Sequence, residues 1–90
     1  MNLEEERFEE LFGKLVVNNY GRAIGLLEKL YVDRQTGIIK FLGIRLNSEA
    51  PEDIVAVFGT DDEGMLLVPR EYVLSMRDFV IIKTPRSEEK

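Results

Sequence analysis

Clusters of Gly, Asn, Asp and Pro cut this chain into short apolar runs, and that punctuation constrains the fold more than any other feature. Short runs between turn signals are the signature of small all-β folds. The first run, Lys14-Leu15-Val16-Val17, ends at Asn18-Asn19-Tyr20-Gly21. Asn and Gly tolerate positive φ, so a tight hairpin turn is expected there. The second run, Ala23 to Val32, stops at Asp33-Arg34-Gln35-Thr36-Gly37. Asp33 can cap the start of that turn and Gly37 can close it in a left-handed conformation. With the third run, Ile38 to Leu46, this predicts a long twisted hairpin.

A polar loop around Pro51 precedes an expected fourth strand, Ile54 to Phe58. The acidic loop Gly59 to Gly64 then leads into a fifth, Met65 to Val68. Pro69 ends that strand, having no N–H to give the ladder. Arg70 to Met76 reads as a single helical turn with Tyr72 and Val73 leaning inwards, and Phe79 to Lys83 as the last strand. At the N-terminus, Leu3, Phe8, Leu11 and Phe12 follow a helical spacing over Leu3 to Phe12. That helix is either a lead-in that pins Leu11 and Phe12 to the domain or a partner-docking element. The expected organisation is an acidic lead-in over 1–10, one domain over 11–84 and a fraying polar tail over 85–90.

Composition removes whole classes of function. The 90 residues, of ordinary 44% hydrophobic content, make one domain. With no Cys there is no disulfide framework or thiolate metal site, and with no His the usual general base and commonest transition-metal ligand are missing. No catalytic, metal or cofactor site is expected. The net charge is −5, and residues 1 to 12 hold five glutamates against Arg7. Nucleic-acid binding draws its affinity from phosphate neutralisation, so direct contact with nucleic acid is not expected, nor with an anionic membrane surface. No apolar run approaches the ~18 residues of a membrane span. The start, Met1-Asn2-Leu3-Glu4-Glu5-Glu6, is acidic where a signal peptide is basic, so a cytoplasmic protein is expected. Charged residues at 32%, without Cys, His or Trp, lean towards a thermophile.

The stretch Leu11-Phe12-Gly13-Lys14-Leu15-Val16-Val17, then Gly21-Arg22-Ala23-Ile24-Gly25, then Val32-Asp33 with Thr36-Gly37, resembles the opening of PRC-barrel domains. Leu67-Val68-Pro69-Arg70-Glu71-Tyr72-Val73, followed by Asp78-Phe79-Val80-Ile81, is similar to the closing half of that family. The resemblance implies a small β-barrel of about six strands, with a short N-terminal helix and one helical turn before the last strand. Gly13, Gly21, Gly25, Asp33, Gly37 and Pro69 are then the fold-critical turn positions. Gly25 falls inside a strand, which predicts a bulge or barrel corner. One extra residue at Gly25-Leu26 would put both Ile24 and Leu27 inside. PRC-barrel domains serve as docking modules in the reaction-centre H subunit and the ribosome-maturation protein RimM, and free-standing archaeal members of about this length exist. The last are the nearest type, and some act in cell division beside the membrane anchor SepF. The resemblance therefore implies a non-enzymatic adaptor, at the division site through a partner such as SepF. The alternative is an adaptor in RNA processing or ribosome maturation that binds a ribosomal protein.

Several runs are apolar on both phases: Ile54 to Phe58, Met65 to Val68 and Phe79 to Ile82. In a small barrel only one face of each strand points inwards, so either Phe79 and Ile81 or Val80 and Ile82 must point out. The candidate interface residues are Leu26, Tyr31, Phe41, Val55, Val57, Val80 and Ile82. A two-fold homodimer is the commonest use of such a surface, and a heterodimer with a paralogous PRC-barrel protein would satisfy it equally. The loops and helical turn could instead cover it within one chain. Asp61-Asp62-Glu63 could bind a divalent cation, but adjacent carboxylates diverge and a solvated turn is expected. Gly21 and Gly25 lack the Lys and Ser/Thr of a phosphate loop. Glu71 reads as a helix N-terminal charge, and Arg70 as a surface side chain or a partner anchor.

Overall fold

The structure is a computed structural model, and it describes residues 9–84. The elements run β1 (Leu15–Asn18), β2 (Ala23–Val32), β3 (Ile39–Leu46), α1 (Ile54–Phe58), β4 (Leu66–Pro69), a 3-10 turn (Arg70–Tyr72), β5 (Val73–Met76) and β6 (Val80–Ile82). The expected N-terminal helix lies largely outside the described residues, as does the tail from Pro85; Glu9 to Leu11 are helical.

All six strands join one sheet in the order β4-β3-β2-β1-β6-β5. The pairs are antiparallel except β1 with β6, which is parallel. The sheet rolls around a core but its outer strands, β4 and β5, do not pair, so hydrogen bonds leave the barrel unclosed. The fully buried residues are Val16 of β1, Ile24 and Leu27 of β2, Leu42 and Ile44 of β3, Leu66 and Val68 of β4, Val80 and Ile82 of β6, and Ile54 of α1.

The turns obey their local chemistry. The Asn18 side chain, only 5% exposed, accepts the N–H groups of Tyr20 and Arg22 at 2.9 Å each, and Gly21 takes φ +84°. Asp33 Oδ1 accepts the N–H groups of Gln35 (2.8 Å) and Thr36 (3.1 Å), and Gly37 closes that turn at φ +75°. Donated N–H groups favour the carboxylate, so the Asp33 pKa lies below its ordinary range, with Gln35 the leading cause.

Gly25 answers to a different demand. A Cβ there would collide with the Arg45 carbonyl oxygen on β3. Beside it the β1–β2 register slips: Val16 faces Gly25 but Val17 faces Ala23, which leaves Ile24 as the extra residue. The expected irregularity therefore sits one residue earlier than Gly25-Leu26, and it does bury both Ile24 and Leu27.

Two elements differ from expectation. Ile54 to Phe58 is a helix rather than a strand. Its buried Ile54 and half-buried Phe58 are four residues apart on one helical face. Phe58 packs edge-on against Tyr72 with ring centroids 5.2 Å apart. Gly59, at φ +80°, ends the helix and donates its N–H to the Val55 carbonyl at 2.7 Å. The expected helical turn Arg70 to Met76 shrinks to the 3-10 turn, and Val73 to Met76 form β5. Tyr72 and Val73 pack on the core as expected, and Met76 joins them through a bulge at Leu74 rather than a helix. The strand count of six thus holds with one member exchanged.

Candidate functional site

Directly opposed residues on neighbouring strands share a face of the sheet, so the register sorts the outward side chains. Leu15 faces Leu26 across β1–β2, and Val17 faces Ile81 across β1–β6. Their strand neighbours Val16, Val80, Ile82 and Leu27 fill the core, so these four stand on the outer face. The neighbouring strand adds Leu74, pushed out by its bulge and 58% exposed. Phe79, two residues before Ile81, is 52% exposed and Leu26 39%. The outcome is a strip of large apolar side chains running across β2, β1, β6 and β5. Leu15, Val17 and Ile81 are half-buried, whereas Leu26, Leu74 and Phe79 are exposed and each forgoes part of the ~1.5 to 3 kcal/mol of full burial. Scattered exposed apolar residues are ordinary, but a continuous strip marks a surface that meets something.

A second outward patch pairs Tyr31 with Phe41, which in turn faces Pro69. The ion pair of Arg45 with Glu28 separates it from the strip, because Arg45 directly faces Leu26.

The interface candidates scatter over these features. Leu26 lies on the strip; Tyr31 and Phe41 make the second patch, Phe41 being 40% exposed. Val55 is exposed and Val57 half-buried, but both stand on α1 and not on a strand. Val80 and Ile82 are corrected: both are fully buried. Their strand pairs in parallel with β1, which sets Val80 beside buried Val16 and Ile82 beside buried Asn18. The alternative set, Phe79 and Ile81, faces out. Leu15, Val17 and Leu74 were not anticipated: a run apolar on both phases carries no mark of which phase is inside.

The acidic loop has a role that its composition conceals. Gly43 in β3 faces Lys29, and a Cβ on it would lie 2.9 Å from Lys29 Cβ and 3.5 Å from the Tyr31 ring. That bare position lets two β2 side chains cross β3 to reach the loop before β4. Tyr31 donates its hydroxyl to Asp61 Oδ2 at 2.5 Å, and Lys29 lies 3.8 Å from the same oxygen and pairs with Glu63. Asp61 Oδ1 accepts the N–H groups of Glu63 (2.8 Å) and Met65 (3.0 Å). Asp61, with only 11% of its side chain exposed, is therefore a clasp and not a solvated turn residue. Among the described residues no cluster of His, Cys, Asp or Glu is arranged to hold a metal.

The electrostatics follow from those bonds. The Tyr31 hydroxyl chiefly, with the two backbone N–H groups, lowers the Asp61 pKa. The same hydrogen bond raises that of Tyr31, and the bond to Glu63 raises that of Lys29. Tyr31 and Asp61 each hold the other in its ordinary neutral-pH form.

At the seam between the sheet margins lies a groove of about 650 Å³, lined by residues before β1, at the start of β3, after β4 and at the end of β5. Among the described residues no helix is long and apolar enough to cross a membrane. None of these features has the geometry of a nucleophile, a base or a phosphate cradle.

Among curated proteins none matches the chain. The PRC-barrel domain matches it over residues 3–89, a span that takes in every strand, α1 and the whole outer apolar face. With six strands in one rolled sheet and glycines at its turns, the chain belongs to the PRC-barrel domain family.

Proposed function

We propose that this protein is a non-enzymatic adaptor that works as a two-fold homodimer through the outer strip of β2, β1, β6 and β5. Membership of the PRC-barrel family supports a small interaction module, since that family is in general non-catalytic. The observation that carries the reading is the register-aligned strip Leu26, Leu15, Val17 and Ile81, with Leu74 beyond it. A two-fold interface brings one patch against itself, and a strip that is apolar across four strands is self-complementary in chemistry. A related barrel would fit the same face, which makes a heterodimer the natural variant of the arrangement.

Introducing a charge tests the assignment. Leu26→Asp adds a charge at the β2 end of the strip without entering the core, because Leu26 is 39% exposed. Light scattering on the separated species is expected to show the wild type as a dimer and Leu26→Asp as a folded monomer. A dimer that survives this change uses another face.

The cellular role we propose is archaeal cell division, with the dimer recruited to the division site by SepF. The support is the resemblance of the motifs to PRC-barrel domains, a family some of whose free-standing archaeal members act in cell division. Co-purification from the native host followed by mass spectrometry decides it. Recovery of SepF or another division protein is the expected result, and recovery of ribosomal proteins would assign the adaptor to ribosome maturation.

A further inference from the structure

The two margins of the sheet are treated differently. Beyond β4 the chain itself covers the edge: Thr60 bridges Leu66, and Leu67 donates its N–H to the Gly59 carbonyl at 3.1 Å. Beyond β5 no described strand pairs. Proteins blunt an open edge with a charge, a Pro, a bulge or a short strand; Val73-Leu74-Ser75-Met76 has no charge or Pro, and its protection is its four-residue length and the bulge at Leu74. The cations stand at its two ends instead, Arg70 before it and Arg77 after it.

Depressions flank this edge. The seam groove has an apolar floor of Leu11, Ile39 and Met76, with Ile38 59% exposed, and basic walls of Lys14, Arg70 and Arg77. A second depression of about 350 Å³ runs along β5 itself and is again bounded by Arg70 and Arg77. Among the described residues only Lys29 and Arg45 are ion-paired; of the other cations, Lys14, Arg70 and Arg77 line this one groove together. Glu10 and Asp78 also line the groove but pair with none of the three. Among the described residues three cations without an ion-pair partner thus gather around one apolar slot.

We propose that the edge of β5 and the seam groove receive an extended acidic segment of a partner protein. Its backbone would add a strand to β5, its carboxylates would meet Arg70, Arg77 and Lys14, and one apolar side chain would enter the slot floored by Ile39 and Met76. Strand addition draws affinity from main-chain hydrogen bonds and specificity from the flanking pockets. No aromatic side chain lines the groove for bases to stack on, and three cations on an acidic protein are too few for a phosphate backbone. The inference rests on the adaptor reading but not on the dimer: the strip and the β5 edge share Leu74, and the seam groove lies outside the strip.

The test is a titration of the isotopically labelled full chain with a six-residue peptide of alternating glutamate and leucine, followed by NMR. Saturable shifts are expected at the amides of Val73 to Met76 and at Ile38 and Ile39. Binding should weaken at least tenfold in the double variant Arg70→Glu, Arg77→Glu and with rising salt. A lysine–leucine peptide is expected not to bind. Equal binding of both peptides, shifts confined to Leu26 and Ile81, or unchanged affinity in the double variant would overturn the proposal. Light scattering on the same samples separates the two surfaces: loss of the dimer counts against the strip, and loss of peptide binding against the β5 edge. If the double variant does not fold, Lys14→Glu and the salt dependence still decide.

Discussion

Gly25 and Gly43 both sit inside strands, yet only one declares its purpose in the sequence. Gly25 interrupts an apolar run beside Ile24 and Leu27, and a corner there follows from their phases. Its substitution should be severe, since Gly25→Ala drives a Cβ into the Arg45 carbonyl. Overpacking of that kind costs about 1 to 3 kcal/mol, and urea unfolding is expected to show a midpoint lowered accordingly. Gly43 draws its meaning from Tyr31, Lys29 and Asp61, which meet only in the folded chain. Hence the clasp was illegible, while Asp33 and Gly37, whose partners lie within a few residues, were plain. The clasp and the Asp33 turn also set the pH response. Asp33 and Asp61 have lowered folded pKa values, so the stability they contribute is present above the ordinary Asp pKa of about 3.9 and is lost as pH falls through their folded values. Tyr31 and Lys29 have raised values, so theirs is present below about pH 10 and fades as pH rises past their folded values. Far-UV circular dichroism should therefore show a broad plateau with losses at both extremes. In Tyr31→Phe the Asp61 carboxyl loses its leading donor, and its pKa, followed by NMR, should rise towards the ordinary range.

Elements were legible where turn chemistry bounded them. The hairpin of β2 and β3 emerged almost residue for residue because Asp33 and Gly37 pin its turn. Ile54 to Phe58 misled because five apolar residues, two of them valine, fit either period. What decides is tertiary: Ile54 enters the core and Phe58 meets Tyr72, which a helix accomplishes and a strand does not. Val73 and Met76 misled in the opposite sense, since a bulge at Leu74 brings residues three apart to one side, as a helix does. The helical assignment predicts that Ile54→Ala loses about 2 to 5 kcal/mol, whereas exposed Val55→Ser changes stability by about 0.5 kcal/mol or less. In the last strand Ile82→Ala should likewise be costly and Phe79→Ser mild, by the same unfolding measurement. A reversed order in either pair would mean that the faces have been exchanged.

The molecule as a whole has more apolar surface than its rolled sheet encloses. The composition made that surplus visible early, but not its place, because nothing in Phe79-Val80-Ile81-Ile82 says which pair is inside. The parallel pairing of β6 with β1 makes the choice, turning Val80 and Ile82 in and leaving Ile81 beside Val17 on the outside. Membership of the PRC-barrel family suggests a small interaction module, and the proposed reading is that it acts by contact. Whether that contact begins with its own copy is decided most directly by sedimentation equilibrium of the wild-type chain from micromolar to millimolar concentration. The account predicts a mass rising to twice 10.4 kDa; a particle that remains at 10.4 kDa throughout contradicts it.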